Sequence, residues 1–145
     1  MQDDDMDYTS GVAAFTAKHF SRAMQLLSPL AESGHADAQH RVAIMYQNGL
    51  GVVANLPAAE KWMRAAAEQG HALAQHGMGF MYLEGEGVTA DGQAAARWFR
   101  LAADQGLAGS QTTLAMMYEE GRGVEQNLDE ARRWYVAAGF EEKAQ

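Results

Sequence analysis

The sequence predicts an all-α fold, a right-handed α/α superhelix (solenoid) of four two-helix repeats, and three observations predict it. The motif Gly-x-Gly-Val occurs as Gly49-Leu50-Gly51-Val52, Gly85-Glu86-Gly87-Val88 and Gly121-Arg122-Gly123-Val124, in steps of 36 residues. Tyr46, Tyr82 and Tyr118 precede it in register, and Trp62, Trp98 and Trp134 follow it. Between these markers apolar residues recur at helical spacing, and β-branched runs are almost absent. A helical unit repeated at such a period buries its apolar face by stacking on its neighbours. The expected single repeat domain, 1–145, divides into a degenerate leading unit at 8–33 and three full units at 34–69, 70–105 and 106–141.

The leading unit opens on an acidic stretch, Asp3, Asp4, Asp5 and Asp7, expected to fray. A short helix is predicted from Tyr8 to Ala17. A turn at Lys18-His19 follows, then a second helix capped by Ser21 that carries Ala23, Met24, Leu27 and Leu30 on one face. Pro29, late in that helix, removes one backbone donor. Gly34, Gly70 and Gly106 mark the boundaries that follow, because a glycine supplies the left-handed residue that ends a helix.

Each full unit then predicts a first helix, at Asp37–Gln47, Leu73–Leu83 and Gly109–Glu119. Ala38, Val42, Met45 and Tyr46 define its apolar stripe, repeated by Ala74, Met78, Met81 and Tyr82 and by Ser110, Leu114, Met117 and Tyr118. The Gly-x-Gly-Val loop needs backbone angles closed to residues with a Cβ, and its valine is expected to turn back between the helices. Asn55, Asp91 and Asn127 read as N-caps, with Glu130 completing a capping box. Second helices follow at Leu56–Gln69, Gln93–Gln105 and Leu128–Ala138, with Pro57 tolerated in the first turn. Their stripes, Ala59/Trp62/Ala66, Ala95/Trp98/Ala102 and Ala131/Trp134/Ala138, place one indole between small residues. The next boundary glycine falls due at position 142, where Glu142 stands, so the last helix is expected to leave Trp134, Val136 and Phe140 as an exposed C-terminal end, sticky enough to form a homodimer.

Composition excludes several classes. A net charge of −8 lacks the clustered Lys and Arg that nucleic acid or an anionic membrane surface requires. No run approaches the ~20 apolar residues of a spanning helix, so membrane insertion is not expected. The start, Met1-Gln2-Asp3-Asp4-Asp5, has no signal-peptide character, which reads as cytoplasmic, or periplasmic where a signal peptide has been removed. With no cysteine there is no disulfide, thiolate nucleophile or Cys-ligated zinc. The nine methionines read as core filler.

These signatures resemble the Sel1-like repeat family, a relative of the tetratricopeptide repeat. Ala38, Val42, Ala43, Tyr46, Gly49, Gly51, Val52, Ala59, Trp62, Ala65 and Ala66 carry the likeness in the first full unit, and it extends in three copies to about Ala138. Residues 8–33 look like a plain tetratricopeptide unit. Departures are Ser110 for alanine, Val53 and Ala54 before the cap, and Leu101 at the position of Ala65. The resemblance implies an α-solenoid adaptor without catalysis or cofactor, often in bacterial envelope or signalling settings.

At ~100° per residue, the first-helix face opposite the stripe carries Asp37, His40, Ile44, Gln47 and Asn48, then Leu73, His76, Phe80, Leu83 and Glu84, then Gly109, Thr112, Met116, Glu119 and Glu120. The resemblance implies that this face lines a concave groove. Ile44, Phe80, Leu83 and Met116 would give it an apolar floor, and Glu84, Glu119 and Glu120 an acidic end, fitting a protein or peptide segment with apolar anchors and a basic residue. Ile44, Phe80 and Met116 have the competing reading of packing between adjacent first helices. The competing function is a small-molecule or cell-wall-fragment binder, or vestigial hydrolase, in the same groove; a closed pocket joining His40, His76 and a carboxylate would mark it. The histidine ladders His40/His76 and His35/His71 are one repeat, ~10 Å, apart at the backbone, so no metal site is expected. The Gly-rich loop ends a helix and carries Glu86, the wrong polarity for phosphate. No nucleophile–base–orienter spacing is present.

Overall fold

The computed structural model describes residues 2–140 as α1 (Gln2–Thr16), α2 (Phe20–Glu32), α3 (Ala36–Asn48), α4 (Leu56–Glu68), α5 (Ala72–Glu84), α6 (Gly92–Asp104), α7 (Ala108–Glu120) and α8 (Leu128–Ala137), with no strand among the described residues. These helices form two compact units, one ending at His71 and the other starting at Ala72.

In the first unit Ala14, Ala23, Leu27, Leu30, Ala31, Ala38, Val42 and Met45 make the core, closed at its edges by Phe15, Phe20, Tyr46 and Trp62. Each large side chain so buried contributes roughly 1.5–3 kcal/mol. Two local expectations fail here. The acidic lead-in is helical from Gln2, where early carboxylates such as Asp5 complement the helix dipole. Ser21 is not a cap: α2 starts at Phe20, with His19 at the N-cap and no side-chain cap bond. The cause lies one residue back, where Lys18 takes φ +65° and returns the His19 N–H to the Ala14 carbonyl. Helix α2 runs through Pro29 to Glu32.

The second unit has a core of Ala95, Ala96, Phe99, Ala103, Leu114 and Met117, with Val124 of the third glycine loop and Trp134 packed against it. Ala115, Ala131 and Tyr135 form a smaller cluster beside it. Helix–helix distance is set by matched sizes in both units. Gly79 of α5 faces Phe99 of α6 so closely that a Cβ would stand 2.7 Å from the ring. In the first unit the same two register positions hold Ala43 and Met63, a larger residue opposite a slimmer one, both buried.

Helix ends are satisfied by residues that repeat. Asn55, Asp91 and Asn127 accept the N–H of Ala58, Ala94 and Glu130, and their own N–H groups donate to the carbonyls of Tyr46, Tyr82 and Tyr118. The capping box at Glu130 is therefore not reciprocal; its carboxylate pairs with Arg133 instead. Each boundary glycine closes a six-to-one turn, in which the N–H of His35, His71, Leu107 or Phe140 reaches back to Leu30, Ala66, Ala102 or Tyr135. The last such turn uses Gly139, because α8 has 10 residues where α2, α4 and α6 have 13. The boundary expected at Glu142, outside the described residues, is thus reached three residues early. Gly51 has a second reason beyond its φ of +73°: a Cβ there would lie 2.6 Å from the Phe20 carbonyl carbon.

Buried glutamines are the feature that hydrophobic periodicity misses. Gln39 donates to the Ala31 carbonyl and Gln111 to that of Ala103, each in the last turn of the preceding helix, while Gln69 and Gln105 donate to Gln39 and Gln75. These bonds occupy carbonyls that helix ends leave open. Their recurrence every 36 residues was the available signal.

Candidate functional site

In the second unit, α5 and α7 bring Phe80, Leu83, Glu84, Met116 and Glu120 to one cleft of about 250 Å³, joined by Thr113, Met117 and Arg122. Phe80 is 38% and Met116 45% exposed, large apolar side chains left open to solvent. Phe80 is nevertheless held: its ring stands edge-on to Phe99 at 5.0 Å and to His76 at 4.9 Å. A rigid aromatic on a packed base is suited to anchor contacts. The rim is mixed in charge, Glu84 and Glu120 with Arg122, where an acidic end alone was expected.

Other expected groove residues lie elsewhere. Glu119 accepts from the Tyr135 hydroxyl at 3.1 Å; burial first, and this bond second, raise the tyrosine's pKa. Thr112 bonds back to the Ala108 carbonyl, and Leu73 is exposed. Gly109 sits against the His76 ring, 3.5 Å from the nearest ring carbon to an added Cβ. His76 Nδ1 meets Ser110 Oγ at 2.7 Å, which explains the serine at an alanine position: Ser110 is fully buried and the imidazole is its partner. Burial lowers the pKa of His76, so the neutral ring is favoured. At the far end, Val136 and Phe140 are each 48% exposed and Trp134 is half-buried. Its indole packs against the core of the second unit, and its Nε1 is shut away from solvent without a hydrogen-bond partner among the described residues.

In the first unit the corresponding residues form a polar junction. Asp37, in the first turn of α3, accepts from Tyr8 Oη and Arg41 Nε on Oδ2, both at 2.8 Å, and meets His71 Nε2 on Oδ1 at 3.1 Å. The His71 contact, then Arg41 and Tyr8, hold its carboxyl well below the usual carboxylate range. His40, one turn further along α3, has its ring 4.8 Å from that of His71. Burial, with the neighbouring His71, lowers the His40 pKa to about 4. Ile44 and Gln47 are half-buried, and Asn48 donates to the Ile44 carbonyl.

The ligand atoms of Asp37, His40 and His71 all lie within 4.8 Å of one another. This corrects the expectation that no metal-ligating set converges. His40 and His71 are not one repeat apart, and they meet because one lies on α3 and the other just past the end of α4.

These features define a class first: an all-α protein whose helices pair into repeats, a fold that is generally a protein-interaction scaffold and typically non-catalytic. The Sel1 repeat profile matches residues 36–71, 72–107 and 108–139, and the chain belongs to that family. A Sel1 repeat protein from Oxalobacter formigenes is similar at 34% identity and a TM-score of 0.86, over 90% of this chain and 54% of its own. The protective antigen c5321 of uropathogenic Escherichia coli, which displays the same repeat fold, is similar at 34% identity and a TM-score of 0.88, over 93% of this chain and 30% of its own. The chain therefore spans about half of the first and under a third of the second. No curated protein matches it.

Proposed function

We propose that this chain is a non-enzymatic adaptor that binds a peptide or protein segment in the cleft between α5 and α7. The supporting observation is the pairing of exposed, immobilised Phe80 with Leu83 and Met116 in a cleft rimmed by Glu84, Glu120 and Arg122. Apolar side chains of the guest fill the floor and supply affinity, while the rim charges select a segment carrying a basic residue opposite Glu84 and Glu120. The mixed rim favours a basic residue with a neighbouring acidic or polar one, in place of a wholly basic segment.

Selection from a random peptide library against the full chain tests this, with Phe80→Glu and the Glu84→Lys/Glu120→Lys pair as comparators. Enriched peptides should share an aromatic or aliphatic anchor and a Lys or Arg. Their binding should weaken at least tenfold, about 1.4 kcal/mol, on Phe80→Glu. Peptides that bind the folded variants as tightly as wild type would overturn the proposal.

A further inference from the structure

We propose that Asp37, His40 and His71 form a binding site for a divalent transition-metal ion of the zinc class, with the fourth position open to water or a donor from a partner. Asp37 and His40 are spaced i, i+3 on α3 and so share one face of that helix. His71 approaches from the turn after α4, where its backbone is fixed by the bond from its N–H to the Ala66 carbonyl. The three ligand atoms already lie within 4.8 Å of one another, and Asp37 Oδ1 and His71 Nε2 within 3.1 Å. Tetrahedral zinc with bonds of ~2.0–2.2 Å separates its ligand atoms by ~3.2–3.6 Å. The widest separation exceeds that range by only about 1 Å, a distance that side-chain rotation can cover.

The donor set fits the ion. Two borderline imidazole nitrogens and one hard carboxylate oxygen are a donor set that Zn²⁺ accepts, and three protein ligands leave a coordination position free. The surroundings orient the carboxylate as metal sites do: Tyr8 and Arg41 hold Oδ2, so Oδ1 is left to face the histidines. The side chains of His71 and Asp37 are 16% and 25% exposed, which leaves a path for the ion. Packing does not demand these residues. The same three register positions in the second unit hold Leu73, His76 and Leu107, and α5 and α6 pair there all the same. A bound ion would fasten the start of α3 to the end of α4.

Titration of the full chain with Zn²⁺, and separately with Co²⁺ as a spectroscopic substitute, tests the site. One Zn²⁺ should bind per chain and raise the thermal midpoint, and Co²⁺ should show the intense visible absorption of a four-coordinate site. His40→Ala, and His71→Leu, which installs the residue of the second unit, should each weaken binding at least tenfold. Tyr8→Phe, which touches no metal, should weaken it by about tenfold or more while leaving the Co²⁺ spectrum in place. Circular dichroism establishes that each variant is folded. Should one not fold, the imidazole resonances of the wild-type chain decide, because Zn²⁺ must shift those of His40 and His71 and spare those of His19, His35 and His76. No binding, a six-coordinate Co²⁺ spectrum, undiminished binding by the folded variants, or shifts at the other histidines would overturn the proposal.

Discussion

Two register-equivalent regions have taken opposite courses. In the first unit Asp37, His40 and His71 meet as a hydrogen-bonded polar cluster; in the second, Leu73, His76 and Leu107 stand at those positions, and His76 turns to Ser110 and the rings of Phe80 and Phe99. Backbone geometry is shared down to the caps and six-to-one turns, so the difference lies in side chains alone. The frame is built by glycines, caps and buried glutamines, and the exposed faces are left to vary. The repeats thus share a frame and differ in the side chains that they present.

That comparison can be broken first at the frame. Gly51→Ala should cost about 2–4 kcal/mol, combining a left-handed φ with a backbone collision against Phe20. Gly34→Ala, at φ +101° with open space around it, should cost only about 1 kcal/mol. Urea denaturation of the two variants gives the difference, and equal losses would show that backbone proximity is irrelevant.

The size-matched pairs come next. Gly79→Ala should destabilise by about 1–3 kcal/mol through its contact with Phe99, despite alanine's better helix propensity. Adding Phe99→Met recreates the Ala43/Met63 pair of the first unit and should recover most of the loss. A double-mutant cycle with no coupling would refute the matching. A smaller effect, roughly 1 kcal/mol, is expected for Asn55→Ala, which leaves the Ala58 N–H without its cap.

The smallest expected effect concerns pH. The folded-state pKa of His76 is lowered by burial, so between the folded and unfolded values the unfolded chain binds more protons. The stability linked to His76 is intact above the ordinary histidine pKa and is lost as pH falls through the lowered one. The thermal midpoint of wild type should decline more steeply over that range than that of His76→Gln; parallel slopes would contradict the burial.

Much of the frame was legible in the sequence. Gly-x-Gly-Val, the caps at Asn55, Asp91 and Asn127, and the boundary glycines each constrain the backbone in a way only a few residues satisfy, so one letter is enough to read them. Helix limits fell within a residue or two, except at α1, where Asp5 and Asp7 read as solvated chain but sit well in an early helical turn. The cleft was half legible: Phe80, Leu83, Glu84, Met116 and Glu120 follow from helical phase, whereas Arg122 comes from a loop that helical phase does not describe. Trp134 is half-buried, its indole packed against the cluster around Phe99, a contact that helical phase along α8 does not describe. The Asp37–His40–His71 cluster was missed because a 36-residue register compares each residue with its copy, and the two histidines meet across helices at a different separation.

Amide chemical-shift mapping with a library-selected peptide addresses the binding role most directly. Perturbations should centre on Phe80, Leu83, Glu84, Met116 and Glu120 and leave Asp37, His40 and His71 unmoved. A map centred on the first unit, or scattered over both without a focus at Phe80, would contradict the assignment of the cleft.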